Sequence, residues 1–211
     1  MKKHNIIGAS LALMALPMAA QANSFSLDAG FAANMVVEAD GFDHVENTGE
    51  GYLEGSYAGF FAGVWIGSLY KDPTDDYELE LYLGYGNELS NGFGYSLTYT
   101  AYYLEDSYQN YDLTLGLGYA INDAVEIGAE FAYDPDSEDL DSSVFVSYAF
   151  SDAISAYALI GQDMSNDMYG ELGVSYAFTD EAAFSLLYEN AESADATISF
   201  ILSYDFNVFG G

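Results

Sequence analysis

From Tyr77 to Tyr85 every second residue is apolar. Tyr77, Leu79, Leu81, Leu83 and Tyr85 share one face, and Glu78, Glu80, Tyr82 and Gly84 the other. A repeat of two is the side-chain period of a β-strand and cannot be satisfied by a helix. The plan recurs at Tyr111, Leu113, Leu115, Leu117 and Tyr119, and at Val125, Ile127, Ala129, Phe131 and Tyr133. The last copy is Ile198, Phe200, Leu202, Tyr204 and Phe206. Aromatics bracket the aliphatic stripe in the first two copies and close it at one end in the other two. A strand that crosses a bilayer needs that layout, with the stripe against lipid tails and the rings at the two headgroup levels. Tyr77, Tyr85, Tyr111, Tyr119, Tyr133, Tyr176 and Tyr204 are therefore expected to form aromatic girdles.

Twelve such segments are expected, at 24–37, 50–57, 59–70, 76–86, 92–104, 110–120, 124–133, 142–150, 153–162, 168–178, 182–190 and 195–206. Segments 59–70 and 92–104 are apolar on both faces, so alternation leaves their orientation open. The expectation is all-β, a twelve-stranded antiparallel transmembrane β-barrel; single-chain bacterial barrels have an even strand number. Connections alternate in kind. One set is short (58–59, 87–91, 121–123, 151–152, 179–181), the other acidic (39–49, 71–75, 105–109, 134–141, 163–167, 191–194). The short set is expected to face the periplasm and the acidic set the outside. Three short connections repeat one motif: Tyr-Ala-Ile-Asn-Asp at 119–123, Tyr-Ala-Phe-Ser-Asp at 148–152 and Tyr-Ala-Phe-Thr-Asp at 176–180.

Residues 1–22 have the layout of a secretory signal peptide. Lys2 and Lys3 precede an apolar run from Ile6 to Leu16, Pro17 ends it, and Ala20-Gln21-Ala22 suits cleavage after Ala22. The barrel is then 23–211, destined for the bacterial outer membrane. Removing two of the three lysines leaves Lys71 against 34 Asp and Glu, a net charge of −33. With no arginine, phosphate contacts are unavailable and nucleic-acid binding is excluded as a role. With no cysteine there is neither a disulfide framework nor thiolate chemistry.

The stretch Ala62-Gly63-Val64-Trp65, the strand Tyr77 to Tyr85, and Gly92-Phe93-Gly94-Tyr95 through Tyr102-Tyr103 resemble the TorF-like porins, also called the Gcw_chp family. The likeness is clearest over 49–133. It implies an outer-membrane barrel, with a pore implied by the family's name. The chain departs from the family at Ala32 to Glu38, where relatives often carry a basic, tyrosine-rich stretch.

With the aliphatic faces turned to lipid, Asp28, Glu50, Glu54, Glu78, Glu80, Asp112, Glu126, Glu130, Glu171, Glu189 and Asp205 point inward. Glu54, Glu80, Glu126, Glu130 and Glu171 are expected to form an acidic belt at mid-height. An unpartnered ion in a dry interior costs several kcal/mol. Protonation, hydrogen bonds from Tyr, Ser and Thr, or water with mobile cations are the available remedies, the last being the simplest. Inward Gly84, Gly116, Gly118, Gly128 and Gly173 would leave room for it. The expected function is a cation-preferring diffusion pore, with Glu54, Glu78, Glu80, Asp112, Glu126, Glu130 and Glu171 lining it. The alternative is a narrow or plugged barrel whose carboxylates simply meet water.

Asp134, Asp136, Glu138, Asp139 and Asp141 are weak candidates for a divalent-cation site, with Asp72, Asp75 and Asp76 a smaller group. His44, the only histidine beyond the leader, is placed in the first outer loop, where a catalytic triad would have to use it. No enzymatic activity and no cofactor are expected. Expected partners are outer-membrane lipid and lipopolysaccharide, small solutes or cations, and the barrel-insertion machinery. The segment Ile198 to Phe206 with Phe209 resembles the C-terminal strand which that machinery recognises.

Overall fold

A computed structural model describes residues 24–69, 75–105 and 107–210. The leader with its cleavage site, Lys71 and Asp72 lie outside the described residues. Twelve strands follow one another: β1 (Ser26–Glu38), β2 (His44–Tyr57), β3 (Phe60–Ser68), β4 (Tyr77–Glu88), β5 (Phe93–Leu104), β6 (Ser107–Asn122), β7 (Val125–Asp134), β8 (Asp139–Ser151), β9 (Ile154–Gln162), β10 (Met168–Ala177), β11 (Ala182–Ala191) and β12 (Ala194–Phe209). Each pairs antiparallel with its neighbours in sequence, and β1 pairs β12 to close the barrel. Closure removes sheet edges, so every strand has a partner on both sides.

The expected strand count and alternation hold, while several bounds move. β2 begins at His44, which shortens the first connection from the expected 39–49 to 39–43 and places His44 on a strand, not in a loop. The connections at 105–109 and 134–141 shrink to 105–106 and 135–138. β12 runs on to Phe209, whose partner is Leu27, with the rings of Phe25 and Phe209 6.3 Å apart. The polar ends of these strands read as loop because they carry no aliphatic stripe, but ladder hydrogen bonds continue past the apolar zone.

Three of the turns at the termini end are built alike. Asn122 Oδ1 accepts from the N–H of Ala124 and Val125 at 2.9 and 3.1 Å. Ser151 Oγ accepts from Ala153 and Ile154 at 3.3 and 3.2 Å, and Thr179 Oγ1 from Glu181 and Ala182 at 3.2 and 3.0 Å. This explains the fourth position of the repeated motif, since a short side-chain oxygen there satisfies two turn N–H groups. Its Tyr and Phe, two apart, both face outward as ring pairs: Tyr148–Phe150 at 4.7 Å and Tyr176–Phe178 at 5.2 Å. The two-residue turn at Ala58 and Gly59 has φ of 52° and 86°, as a type I′ hairpin requires.

The outside of the barrel is apolar. Leu83, Leu97, Val144, Ile160, Leu172, Val174 and Leu202 stand exposed around the wall. All seven expected girdle tyrosines lie on this outer face. Tyr85 packs on Phe60 at 4.9 Å, Tyr111 on Tyr99 at 5.3 Å and Tyr204 on Phe31 at 5.8 Å. A continuous apolar surface of this size suits a hydrocarbon solvent, not water. No described helix is long and apolar enough to cross a membrane.

Two outcomes follow for reversible urea unfolding in lipid vesicles. Leu172→Arg, on a side chain 58% exposed, is expected to destabilise by about 2–4 kcal/mol. On a water-facing surface the same change would stay within about 0.5 kcal/mol. Thr179→Ala is expected to cost about 1 kcal/mol, while Thr179→Ser retains the turn.

Candidate functional site: the barrel interior

Strand pleating sends alternate residues inward, and the register shows which ones meet. Asp28 opposes Glu54, and Glu171 opposes Glu189. Both are like-charge pairs on the inner face, with Cβ atoms about 5 Å apart. Two ionised carboxylates at that spacing repel by about 3 kcal/mol at an effective dielectric of 20. No cationic side chain relieves this, because the described residues contain neither lysine nor arginine.

Neutral donors take that role. Tyr52 donates to Asp205 at 3.0 Å, Tyr157 to Glu171 at 2.9 Å and Tyr169 to Asp141 at 3.0 Å. Tyr82 hydrogen-bonds Glu54, Tyr102 hydrogen-bonds Asp112, and the Trp65 indole N–H donates to Glu50. Glu189 is met by Ser199 and Thr197. Asp28 accepts from Ser26 at 2.7 Å and from Asn207 at 2.8 Å. Hydrogen bonds to a charged acceptor are stronger than neutral ones, so this network offsets part of the desolvation cost.

Glycines seat these rings. Tyr52 lies across Gly30, Tyr82 across Gly63, Phe61 across Gly84, Phe145 across Gly128, Tyr157 across Gly173 and Tyr169 across Gly161, each the direct cross-strand partner. A Cβ at any of these six glycines would run into the ring above it. Three tyrosines thereby reach a carboxylate two strands away: Tyr82 from β4 over β3 to Glu54 on β2, Tyr52 from β2 over β1 to Asp205 on β12, and Tyr169 from β10 over β9 to Asp141 on β8. The expectation that Gly84, Gly128 and Gly173 leave open space is corrected, since aromatic rings fill it. At Gly94 a Cβ would meet nothing within 4 Å.

All seven expected lining residues point inward, but they do not form one belt. Glu54 lies three residues from the end of β2 and Glu126 second in β7, both toward the termini end. Glu78, Glu80, Asp112 and Glu171 lie toward the acidic end. Only Glu130 is central in its strand. Strand tilt and register stagger spread residues that occupy similar strand positions over different heights. Glu78 and Glu80 are 2% and 3% exposed and are shut away from lumen water, whereas Glu130 is exposed.

The expected metal candidates are dispersed. Asp134 Oδ1 accepts from the N–H of Asp136 and Ser137 at 2.7 and 3.2 Å, and its Oδ2 from Asn110 at 3.1 Å, which makes it a turn cap. Asp141 points into the lumen toward Tyr169. Among the described residues no three His, Cys, Asp or Glu are arranged to hold a metal ion. That finding includes Asp136, Glu138, Asp139, Asp75 and Asp76. His44 is exposed at the acidic rim, its Nε2 3.4 Å from Asn47 Oδ1.

Sequence reasoning missed Phe61, Trp65, Phe145 and Tyr157 as inward residues, and placed Asp141 in a loop. For Phe61, Phe145 and Tyr157 the usable signal was a glycine at the ring's cross-strand position, which needs the register to be seen, whereas Trp65 lies over Gly67 of its own strand.

The sequence matches no family profile and no curated protein, so the likeness to TorF-like porins stands on its motifs alone. Solved structures do match. A KdgM porin aligns with a TM-score of 0.68 at 12% identity over 85% of this chain and 99% of that one. KdgM in complex with disordered oligogalacturonate aligns at 0.67 and 11% identity, over 85% and 99%. A NanC porin aligns at 0.59 and 10% identity, over 84% and 98%. Around its acidic lining, the chain has the closed barrel fold of the KdgM and NanC porins.

Proposed function

We propose that this barrel is an outer-membrane channel for passive diffusion of small solutes, and that it prefers cations. The observation that carries the reading is a lumen wall holding a dozen inward Asp and Glu side chains with no Lys or Arg among the described residues. Such a wall attracts cations, repels anions and retains water. The exposed, inward Glu130 supports a wet lumen at mid-wall.

Cleavage after Ala22, insertion through the C-terminal strand, and contact of the acidic rim with lipopolysaccharide through divalent ions complete the proposal. A catalytic role is not proposed, because His44 lies at the rim beside Asn47. The ligand in the KdgM complex is an acidic oligosaccharide. This lining has no cation to meet such a chain, and it is not proposed as the cargo here.

Burial of Glu78, Glu80 and Glu171, at 2%, 3% and 6% exposure, favours a second reading, a barrel packed shut. Liposome swelling separates the two. Vesicles carrying the folded protein are expected to swell faster in a small amino sugar than in a neutral sugar of equal size, and slowest in a uronate. Equal rates for all three would remove the cation preference. No swelling from demonstrably folded protein would favour the packed barrel.

A further inference from the structure

The inward carboxylates fall into two sets by what meets them. Asp28, Glu50, Glu54, Asp112, Glu171 and Asp205 are each held against the wall by a neutral donor, as are Asp141 and Glu189. Glu130 differs. It is exposed while pointing inward, and no described residue hydrogen-bonds it. Its cross-strand partners are Gly116 and Ser143, and the row continues through Ser96 to Gly86, all too small to cover it.

We infer that these neutral donors, the tyrosines foremost, are positioning devices that withdraw eight of the dozen inward carboxylates from the lumen, and that Glu130 is the principal charge a permeating cation meets. A carboxylate that accepts a tyrosine O–H has part of its charge satisfied and its rotamer fixed, so it attracts a passing ion less. A carboxylate open to the lumen with no fixed donor has no competitor for its oxygens and can replace a water of a passing cation's shell. Selectivity then depends on one glutamate and on the hydroxyls that restrain its neighbours, not on the total charge. The inference rests on the channel reading, and its test is chosen so that the two can fail separately.

Accessibility is read first, without any conductance. The chain has no cysteine, so single replacements report cleanly. In the folded full-length protein, Glu130→Cys is expected to react with a small cationic methanethiosulfonate at least about tenfold faster than Glu171→Cys, whose site is 6% exposed. Selectivity is then read in planar bilayers. Glu130→Gln is expected to move the reversal potential at least halfway to zero, and Glu171→Gln to leave it nearly unchanged. Tyr169→Phe, which removes the hydrogen bond to Asp141 without changing the barrel's charge, is expected to restore selectivity in the Glu130→Gln background.

Comparable labelling at 130 and 171 overturns the inference. So does an equal loss of selectivity in the two Gln variants, or a Tyr169→Phe change with no effect. A folded wild type that conducts nothing removes the channel reading, and with it the cation contact at Glu130. Slow labelling of Glu130→Cys in a conducting barrel removes the present inference alone. Heat-modifiable migration shows that each variant is folded.

Discussion

The pairing of β1 with β12 is what the rest of the molecule depends on. Twelve register pairs join Leu27–Glu38 to Thr197–Phe209, and without them two strands would present bare N–H and C=O groups to hydrocarbon. Each such group is worth several kcal/mol where no water can reach it. Closure also divides the side chains into two populations with nothing in common. The outer one meets lipid and is free to be apolar everywhere. The inner one is cut off from bulk solvent and has to settle its charges locally. The unusual feature is that the described residues do so without a lysine or arginine.

That constraint accounts for the composition of the inner wall. Tyr, Ser, Thr, Asn and Trp are the donors left once Lys and Arg are absent, and each is used. Tyrosine is the most useful because its hydroxyl is far from the backbone. A ring laid across a glycine gains contact along the wall, and its O–H arrives at a carboxylate one or two strands away. Glycine at 30, 63 and 161 is therefore a requirement of the tyrosine on the facing strand. Asp112 marks where the supply of donors ends, since its Oδ1 is buried without a partner while Tyr102 meets the carboxylate elsewhere. Hydrogen bonding thus reduces the charge burden without removing it. Water and mobile cations in the lumen are the remaining way to balance Glu130, Glu126 and the pairs at Asp28–Glu54 and Glu171–Glu189.

The barrel was legible in the sequence where one face is purely aliphatic. β4, β6, β7 and β12 declare their orientation because an error of one residue would send leucines inward and carboxylates into lipid. β3 does not, since Phe61 and Trp65 inside are as apolar as Ile66 and Val64 outside. The inward Phe61, Trp65, Phe145 and Tyr157 escaped notice for the same reason. Which glycine faces Tyr157 is a fact about β10, 16 residues further along the chain, and it exists only once the register is set. The acidic stretches misled in the opposite direction. Asp141 and His44 sit among loop-like residues, yet both belong to strands that outlast the apolar zone. The shared direction of the acidic residues was readable from alternation, whereas their heights depend on tilt and stagger.

The central claim is that this wall, stripped of cationic partners, makes a conducting lumen that favours positive ions. The direct test is the reversal potential of the folded wild-type protein in a planar bilayer under a KCl gradient. The account predicts a resolved conductance whose potential carries the sign of potassium permeation and weakens as ionic strength rises and screening shortens. A potential with the sign of chloride permeation would contradict it.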